Sequence, residues 1–238
     1  TILGTDGERL SKRHGAISVM QYSDEGYLPE ALINYLVRLG WSHGDEEIFN
    51  RDQFINWFNL TTINRSPARF DSEKLRWINH HYLKEADNTF LANKIKPLLE
   101  KQGCDFSVGP DLKKAVNIIK ERAATITELA DKSLCFFTRI EPSVEIKEQY
   151  YSADIRPILE NLITKFSIIS WDRKTIHDEI KKSATAHNIK FPKIAMPLRI
   201  MVTGKTQTPS IDLVLEILGS KESIERMNKQ MDNFPTLS

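Results

Sequence analysis

The stretch LPEALINYLVRLG, residues 28–40, determines the fold class of this chain. Its apolar side chains recur at intervals of three and four residues, which places them on one face of an α-helix. Pro29 suits a first helical turn because its fixed φ angle matches a helix, and Gly40 suits the position after a last turn. The stretch therefore predicts an amphipathic helix that packs against other elements.

Helical signals continue along most of the chain. Asn50 and Gln53 have the spacing of a capping box, and Asp71 or Ser72 is suited to cap the next helix. Apolar residues at helical spacing also cover the segments 112–119, 155–166, 171–182, 211–218 and 221–231. Period-2 alternation is nearly absent, so the predicted fold class is mostly α.

Two segments interrupt this pattern. Residues 16–22 predict a short extended stretch. Residues 141–148 keep no apolar period, so Pro142 and Ser143 indicate a boundary between groups of helices.

Composition excludes several classes of protein. The 238 residues are 40% hydrophobic and 27% charged, which is typical of a packed globular protein. No apolar run reaches the ~20 residues needed to span a bilayer. Cys104 and Cys135 are too few for a disulfide framework or a four-ligand zinc site, and they favour a reducing cytoplasm. The net charge of +1 excludes a strongly basic nucleic-acid coat but not a local basic surface.

Two chemical motifs fail on spacing. Residues 204–206 (GKT) have the tail of a P-loop, but Arg199 stands where that motif needs its first glycine. His80 and His81 are adjacent, so a helix points them in different directions and they predict no metal site. No nucleophile–histidine arrangement is visible. On chemistry alone, the sequence predicts no complete active site and no metal site.

A glycine-bounded loop near the start carries the clearest chemistry. Residues 9–16 (RLSKRHGA) place a serine, a lysine and two arginines on a flexible segment. Such hydroxyl and cationic donors bind polyphosphates and offset the charge that develops on them. For Ser11, Lys12 and Arg13 by themselves, a solvated basic loop is the better interpretation.

The longer context resembles a known family. Residues 9–13 (RLSKR) look like the KMSKS signature of class I aminoacyl-tRNA synthetases, with Leu10 for Met and Arg13 for the last serine. The motifs that follow resemble bacterial glutamyl-tRNA synthetases in content and order: YLPEALINYL (27–36), LGWS (39–42), KLRWIN (74–79), MPLR (196–199), TPS (208–210) and SIER (223–226). A five-residue signature is weak by itself, but this ordered set spans essentially the whole chain.

The resemblance implies an ATP-dependent ligase. Members activate glutamate with ATP and Mg²⁺ and transfer it to the 3′ end of its tRNA. The resemblance assigns catalysis to Ser11 and to Lys12, which stabilises the departing pyrophosphate. It assigns ATP binding to Lys12, Arg13 and Arg9. The family's His-Ile-Gly-His signature and its glutamate-binding residues are absent from this sequence. The chain is therefore expected to be a C-terminal half cut from a larger protein, and to be inactive by itself.

The resemblance also implies a domain organisation. The signature loop and the end of a catalytic domain are expected over residues 1–22, and a helical stem-contact segment over 23–84. A two-part all-helical anticodon-binding region is expected over 85–145 and 146–238. Members that read glutamine tRNA carry β-barrels here, and the helical pattern argues against them. The expected partners are glutamate tRNA, ATP and glutamate, without a membrane, and the protein is expected to be a cytoplasmic monomer.

Two arginines are the candidates for reading the anticodon, whose unstacked bases a guanidinium can recognise. By resemblance, Arg122 reads the third anticodon base and Arg199 makes a second contact, with Thr208, Pro209 and Ile211 as the adjacent wall. From the residues alone, Arg122 also fits a helix C-terminus, and Arg199, in an apolar run, is either paired or faces a ligand. Three tryptophans on apolar stripes are assigned to packing: Trp41, Trp57 and Trp77.

Several alternatives stay open at this point. Arg65, Arg69 and Lys74 surround Pro67, and they fit either a contact to stem phosphates or a solvated turn. A stand-alone helical RNA-binding module fits the same helices, as does a helical interaction protein with no RNA role. The ordered motifs favour the ligase. The sequence does not indicate whether glutamine tRNA is charged as well.

Overall fold

The computed structural model describes residues 1–4, 6–11, 18–106 and 109–236. Within these residues the structure is mostly helical, as predicted. The helices are α1 (Val19–Asp24), α2 (Pro29–Arg38), α3 (Arg51–Trp57), α4 (Ser72–Glu85), α5 (Asn88–Glu100), α6 (Leu112–Ile119), α7 (Ile126–Phe137), α8 (Val144–Tyr150), α9 (Arg156–Phe166), α10 (Arg173–Ala186), α11 (Phe191–Thr203), α12 (Ile211–Leu218) and α13 (Ser220–Met231). Two short strands, β1 (Ile2–Leu3) and β2 (Ala68–Arg69), pair in parallel. None of the described helices is long and apolar enough to cross a membrane.

The chain divides into two compact units. The first unit contains Thr1–Leu98 and Ile119–Asp131, and the second contains Leu99–Ile118 and Lys132–Ser238. Each unit is therefore assembled from two stretches of chain that are distant in sequence. The domain boundaries predicted after residues 84 and 145 remain predictions.

Helices α2 and α4 pack together in the core of the first unit. The stripe predicted from residues 28–40 is confirmed, because Ala31, Leu32 and Tyr35 are buried while Pro29 occupies the first helical turn. Helix α4 buries Leu75, Ile78 and Leu83, which have the same helical spacing. Burial of these apolar side chains supplies the main stabilisation of the unit.

Asn79, in the middle of α4, is a polar side chain buried in this core. Its Oδ1 accepts a hydrogen bond from the Leu28 main-chain N–H at 2.8 Å, and its Nδ2 donates to the Ala124 carbonyl at 2.5 Å. Without these bonds, burial of the Asn79 amide would lower the stability of the fold, and two main-chain groups would lose their hydrogen-bond partners. The amide thus fixes the start of α2, the middle of α4 and the turn at residue 124 relative to one another.

Gly26 occupies a position that only glycine tolerates. Its φ angle is +88°, and a Cβ there would lie 2.6 Å from the Thr127 nitrogen and 2.8 Å from the Ile126 nitrogen. The Gly26 carbonyl accepts a hydrogen bond from the Ile126 N–H at 2.9 Å. The missing side chain therefore lets the segment before α2 approach the start of α7.

We expect Gly26→Ala to lower the free energy of unfolding by about 2–4 kcal/mol, because alanine adds strain at a positive φ and a clash with main chain. Gly40→Ala is the matched control, since among the described residues, its two chain neighbours aside, no atom lies within 4 Å of its Cβ position. It should change stability by no more than about 0.5 kcal/mol. Urea unfolding followed by circular dichroism measures the stability of both variants. An equal loss of unfolding free energy in the two would contradict the close approach at Gly26.

Helices α9 to α13 form much of the second unit. Their inward faces meet in an apolar core: Leu159, Leu162, Ile176, Ile180, Ile194, Leu198, Val214, Leu215 and Met227. Helix α11 ends at Gly204, whose φ angle is +68° and whose Cβ position lies 2.4 Å from the Ile140 carbonyl oxygen. Residues 204–206 are thus a helix C-terminus, which agrees with the rejection of a P-loop.

An ionic network links α13 to the C-terminal end of α7. Arg226 is buried, and its Nη1 donates to the carbonyls of Cys135 at 2.5 Å and Val202 at 2.7 Å. Its Nε donates to Glu222 Oε1 at 2.6 Å, and Arg139 donates two further bonds to the same carboxylate at 2.9 and 2.7 Å. Hydrogen bonds from Arg139 and Arg226 lower the pKa of Glu222 to about 2, although burial acts in the opposite direction.

The folded state therefore favours ionised Glu222, and its contribution to stability is complete above about pH 5 and lost as the pH falls towards 2. We expect Glu222→Gln to cost about 1–2 kcal/mol at neutral pH, a value reduced for the partial exposure of the carboxylate. The difference in the free energy of unfolding between this variant and the unchanged chain should shrink steadily between pH 5 and pH 2. Chemical unfolding of both proteins across this pH range checks the prediction. A stability difference that does not change with pH would contradict the ionic network.

One prediction of local structure is wrong, and a segment without an apolar period also proves to be helical. Val19–Tyr22, the described part of the predicted extended stretch, lies in α1, where the Ser18 side chain accepts a hydrogen bond from the Gln21 N–H at 3.3 Å. The segment without an apolar period contains α8, which is capped by Ser143. Neither short helix contains a buried residue. An apolar period is therefore missing because these helices have no face in the core.

The tryptophan predictions have mixed outcomes. Trp41 is buried, as predicted, and its indole N–H donates to Thr62 Oγ1 at 2.8 Å. Trp57 is half-buried and stacks on His43 with 4.4 Å between ring centroids. The prediction for Trp77 is wrong, because its side chain is 49% exposed on the surface of α4. The helical stripe through Leu75 and Ile78 does not extend around α4 to this position.

Candidate nucleic-acid interface

The signature loop is described only at its beginning. Arg9 and Ser11 are exposed, and Lys12 and Arg13 lie outside the described residues. Leu3 pairs with Arg9 on one side in antiparallel fashion and with Arg69 on the other side in parallel. Because residues paired across strands point to the same face, Arg9 and Arg69 flank Leu3 on one face of this small ladder.

The predicted chemistry of this loop remains a prediction. Of the four residues assigned to catalysis and ATP binding, only Arg9 and Ser11 are placed, and both are accessible to a ligand. In the described ranges, no group of three or more His, Cys, Asp or Glu side chains is arranged to hold a metal ion.

Arg122 lies at the end of a one-turn 3-10 helix, Lys120–Arg122, that directly follows α6. Its side chain is exposed, whereas each of the next four residues, Ala123 to Ile126, is buried. The chain thus turns into the core of the first unit immediately after Arg122, and the guanidinium stays at the surface.

Several contacts hold the turn after Arg122 in place. The Ala124 N–H donates to Glu128 Oε2 at 3.1 Å, while Asn79 binds the Ala124 carbonyl. Glu128 is also hydrogen-bonded to Arg76 of α4, and this bond raises the pKa of the Arg76 guanidinium. Arg122 is therefore mounted on a turn whose main chain is fixed by side chains of α4 and α7.

Arg199 is the one charged residue in the run 194–202 of helix α11, in the second unit. It is half-buried, and its Nη1 lies 3.0 Å from Met196 Sδ and 3.5 Å from the Thr206 carbonyl oxygen. Buried Thr203 donates its hydroxyl to the Arg199 carbonyl at 2.7 Å. These contacts place the guanidinium against the loop that follows α11, which is the loop that leads to Thr208.

The predicted wall residues differ in exposure. Thr208 is half-buried, and its hydroxyl donates to the Pro209 carbonyl at 2.9 Å. Pro209 is buried, and Ile211 is only 2% exposed at the start of α12. Thr208 therefore contributes surface, while Pro209 and Ile211 support it from below. Their contacts with an anticodon remain predictions.

Arg173 is a further cation near these residues that the sequence did not single out, and it binds two neighbours of theirs, Ser210 and Asp212. Its Nε donates to Asp212 Oδ2 at 2.7 Å, and its Nη2 lies 3.4 Å from Ser210 Oγ. Burial raises the pKa of Asp212, but hydrogen bonds from Arg173 and Ser210 outweigh this and lower it, so the carboxylate is charged. The sequence signal was weak, because Asp172 and Arg173 have the pattern of an ordinary helix start. Arg173 thus fixes the first turn of α12, next to Pro209 and Ile211.

The comparison with family models defines the class of protein. The model described as "Anticodon binding domain" matches residues 90–231, more than half of the chain, and this range includes Arg122 and Arg199. The chain belongs to this family of anticodon-binding domains. A second model, for the catalytic domain of class I tRNA synthetases (E and Q), matches residues 1–77, which include the signature loop.

Curated relatives make the likeness more particular. The chain is 57% identical over 235 residues to the glutamate–tRNA ligase of Nitrosospira multiformis, and 57% identical over 234 residues to that of Nitrosomonas europaea. Each match covers 98% of this chain and 50% of the relative, so the chain spans about half the length of the curated relatives it matches. The predicted resemblance to glutamyl-tRNA synthetases is confirmed.

Solved structures agree with the sequence relatives. A glutamate tRNA ligase from Elizabethkingia meningosepticum, solved in complex with its amino acid, superposes with a TM-score of 0.87 at 28% identity. The glutamate-tRNA synthetase from Elizabethkingia anophelis gives a TM-score of 0.82 at 28% identity. Each match covers 98% of this chain and 50% of the other chain.

Proposed function

We propose that this chain is the tRNA-binding portion of a glutamate–tRNA ligase. The match of the anticodon-binding domain model over residues 90–231 carries the proposal, because both predicted anticodon arginines lie within it. The matched ligases of Nitrosospira multiformis and Nitrosomonas europaea cover nearly the whole chain. This coverage favours the ligase over a stand-alone helical RNA-binding module.

In the proposed function, Arg122 and Arg199 read anticodon bases of glutamate tRNA. A guanidinium presents several N–H donors in a fixed plane, and these donors match acceptors on an unstacked base. The turn that carries Arg122 and the loop beside Arg199 are both held by hydrogen bonds. Less conformational freedom is then lost on binding, which favours selective recognition.

The signature loop takes part in the proposed activation of glutamate. Lys12 and Ser11 act on the phosphates of ATP, whose Mg²⁺ accompanies the nucleotide as substrate, and Arg9 and Arg13 add positive charge. Such cations stabilise the charge that develops when pyrophosphate leaves. The full-length enzyme is proposed to act as a monomer in the cytoplasm and to use ATP, glutamate and glutamate tRNA.

We expect Arg122→Ala and Arg199→Ala each to weaken binding of a glutamate-tRNA transcript by about 1–3 kcal/mol, the range for a lost base contact. Arg51→Ala is the control, because Arg51 is also exposed but lies on α3, outside the range of the anticodon-binding model. Filter binding measures all three.

Base substitutions in the transcript sharpen this test. If Arg122 reads the third anticodon base, changing that base should weaken binding of the unchanged chain but add little to the loss in Arg122→Ala. Unchanged affinity in both arginine variants would remove the assignment. Additive losses from the base change and Arg122→Ala would contradict the particular pairing with the third base.

The 238-residue chain by itself is expected to bind tRNA without forming glutamyl adenylate, because one loop lysine does not by itself assemble an ATP and glutamate site. Glutamate-dependent exchange of pyrophosphate into ATP measures adenylate formation directly. Exchange above the no-enzyme background would contradict this expectation, while tRNA binding in the same preparation shows that the chain is folded.

A further inference from the structure

Helix α4 holds the chain on the N-terminal side of Arg122. The Lys84 Nζ lies 3.1 Å from the Glu121 Oε2. The Lys120 Nζ donates to the Ala86 carbonyl at 3.1 Å. Lys84 is in the last turn of α4, and Ala86 is the residue at which this helix ends. The two residues that precede Arg122 are therefore both tied to the C-terminal end of α4.

The same helix holds the chain on the C-terminal side of Arg122. Asn79, in the middle of α4, donates to the Ala124 carbonyl at 2.5 Å. Arg76, about one turn earlier, donates a hydrogen bond to Glu128. Glu128 Oε2 in turn accepts the Ala124 N–H at 3.1 Å. Both main-chain groups of Ala124 thus have side-chain partners, and all of these residues belong to the first unit.

The Glu128 side chain joins α4 to the turn after Arg122. One carboxylate oxygen accepts from Arg76 and the other accepts from Ala124. The Glu128 N–H donates to Thr125 Oγ1 at 3.2 Å, so Thr125 caps the start of α7 while Glu128 reaches back to the turn. The position of the carboxylate is therefore fixed both from α4 and from the first turn of α7.

Other contacts hold the start of α7 independently of the Glu128 carboxylate. Thr127 Oγ1 donates to the Glu25 carbonyl at 2.8 Å, and the Ile126 N–H donates to the Gly26 carbonyl at 2.9 Å. These bonds do not involve the Glu128 side chain. Removal of that side chain is therefore expected to loosen the turn at Ala124 without unfolding α7.

The direction of the Arg122 guanidinium depends on the main chain of this turn. Arg122 is exposed, and it lies two residues before Ala124. A guanidinium presents its donors in one plane, so it matches a given set of base acceptors in one orientation only. A binding side chain keeps such an orientation within about 0.5 Å only when its support is itself held by hydrogen bonds. Loss of the support at Ala124 should therefore lower the discrimination between bases.

We propose that Glu128, held by Arg76, is a positioning residue that orients Arg122 towards the third anticodon base. This proposal rests on the proposed function, since it assigns the support of the same arginine. Arg76 lies within residues 1–77, which the catalytic-domain model matches, and outside residues 90–231, which the anticodon-binding model matches. Selectivity at the anticodon then depends on a helix outside the matched anticodon-binding domain.

The test compares a glutamate-tRNA transcript with the same transcript changed at the third anticodon base. The ratio of the two affinities, measured by filter binding, reports discrimination at that base. Glu128→Ala should lower this ratio roughly three- to tenfold, the effect of about one hydrogen bond. Combined with Arg122→Ala, it should lower the ratio no further than Arg122→Ala does, because the two residues act as a unit.

Two further variants separate positioning from general effects. Glu47→Ala is the matched control, because Glu47 is also half-buried, pairs with Lys74 of α4 and carries the same charge. It should leave the ratio unchanged, since a general change in charge alters the affinities for both transcripts alike. Glu128→Gln should retain part of the ratio, because its amide oxygen can still accept the Ala124 N–H. Thermal melting measures the stability of every variant, and a smaller folded fraction does not alter the ratio.

The outcomes distinguish this proposal from the anticodon assignment itself. If Arg122→Ala lowers the ratio and Glu128→Ala does not, the positioning role is overturned and the assignment of Arg122 stands. If Arg122→Ala leaves the ratio unchanged, both are overturned. A loss in Glu128→Ala that adds to the loss in Arg122→Ala, or that Glu47→Ala reproduces, also overturns the positioning role. A loss that does not add to that of Arg122→Ala and is partly restored in Glu128→Gln supports it.

Discussion

The first unit depends on one buried amide. Asn79 accepts a hydrogen bond from the main-chain N–H of Leu28, just before α2, and donates one to the Ala124 carbonyl, so a single side chain sets the positions of three segments. A leucine of similar size could fill the volume but could satisfy neither main-chain group. The cost of leaving those groups unpaired explains why a polar side chain lies among the buried apolar residues Leu75, Ile78 and Leu83 of α4.

Helix α4 extends this constraint to two surfaces. Its first turn contributes Lys74, which pairs with Glu47, and its middle contributes Arg76 and Asn79 to the turn that carries Arg122. Because a helix is rigid over 14 residues, the distance between these surfaces is fixed within the unit. The turn that carries Arg122 is therefore held in a fixed place relative to α4.

The sequence predicted features that arise from local patterns. The helix at residues 28–40, the capping box at Asn50 and Gln53, and the end of α12 at Gly219 each follow from residues close together in the chain. Features that need distant residues were not predictable in the same way. The hydrogen bond of Tyr35 to the Asp71 N–H and the pair of Arg173 with Asp212 join elements that are about 36 and 39 residues apart. The exposure of Trp77 was missed because periodicity identifies a stripe but does not set its width.

The balance of charge is compatible with the RNA binding proposed for this nearly neutral chain. Many cations here have structural partners: Arg76 with Glu128, Arg139 with Glu222, Arg173 with Asp212 and Arg226 with Glu222. These pairs add little to the field outside the protein, because each charge is offset by a neighbour. The net charge of +1 therefore counts structural pairs together with cations that can meet a ligand. In the proposed function, affinity for RNA comes from a few fixed guanidinium groups, so the sequence that they contact matters more than the number of phosphates nearby.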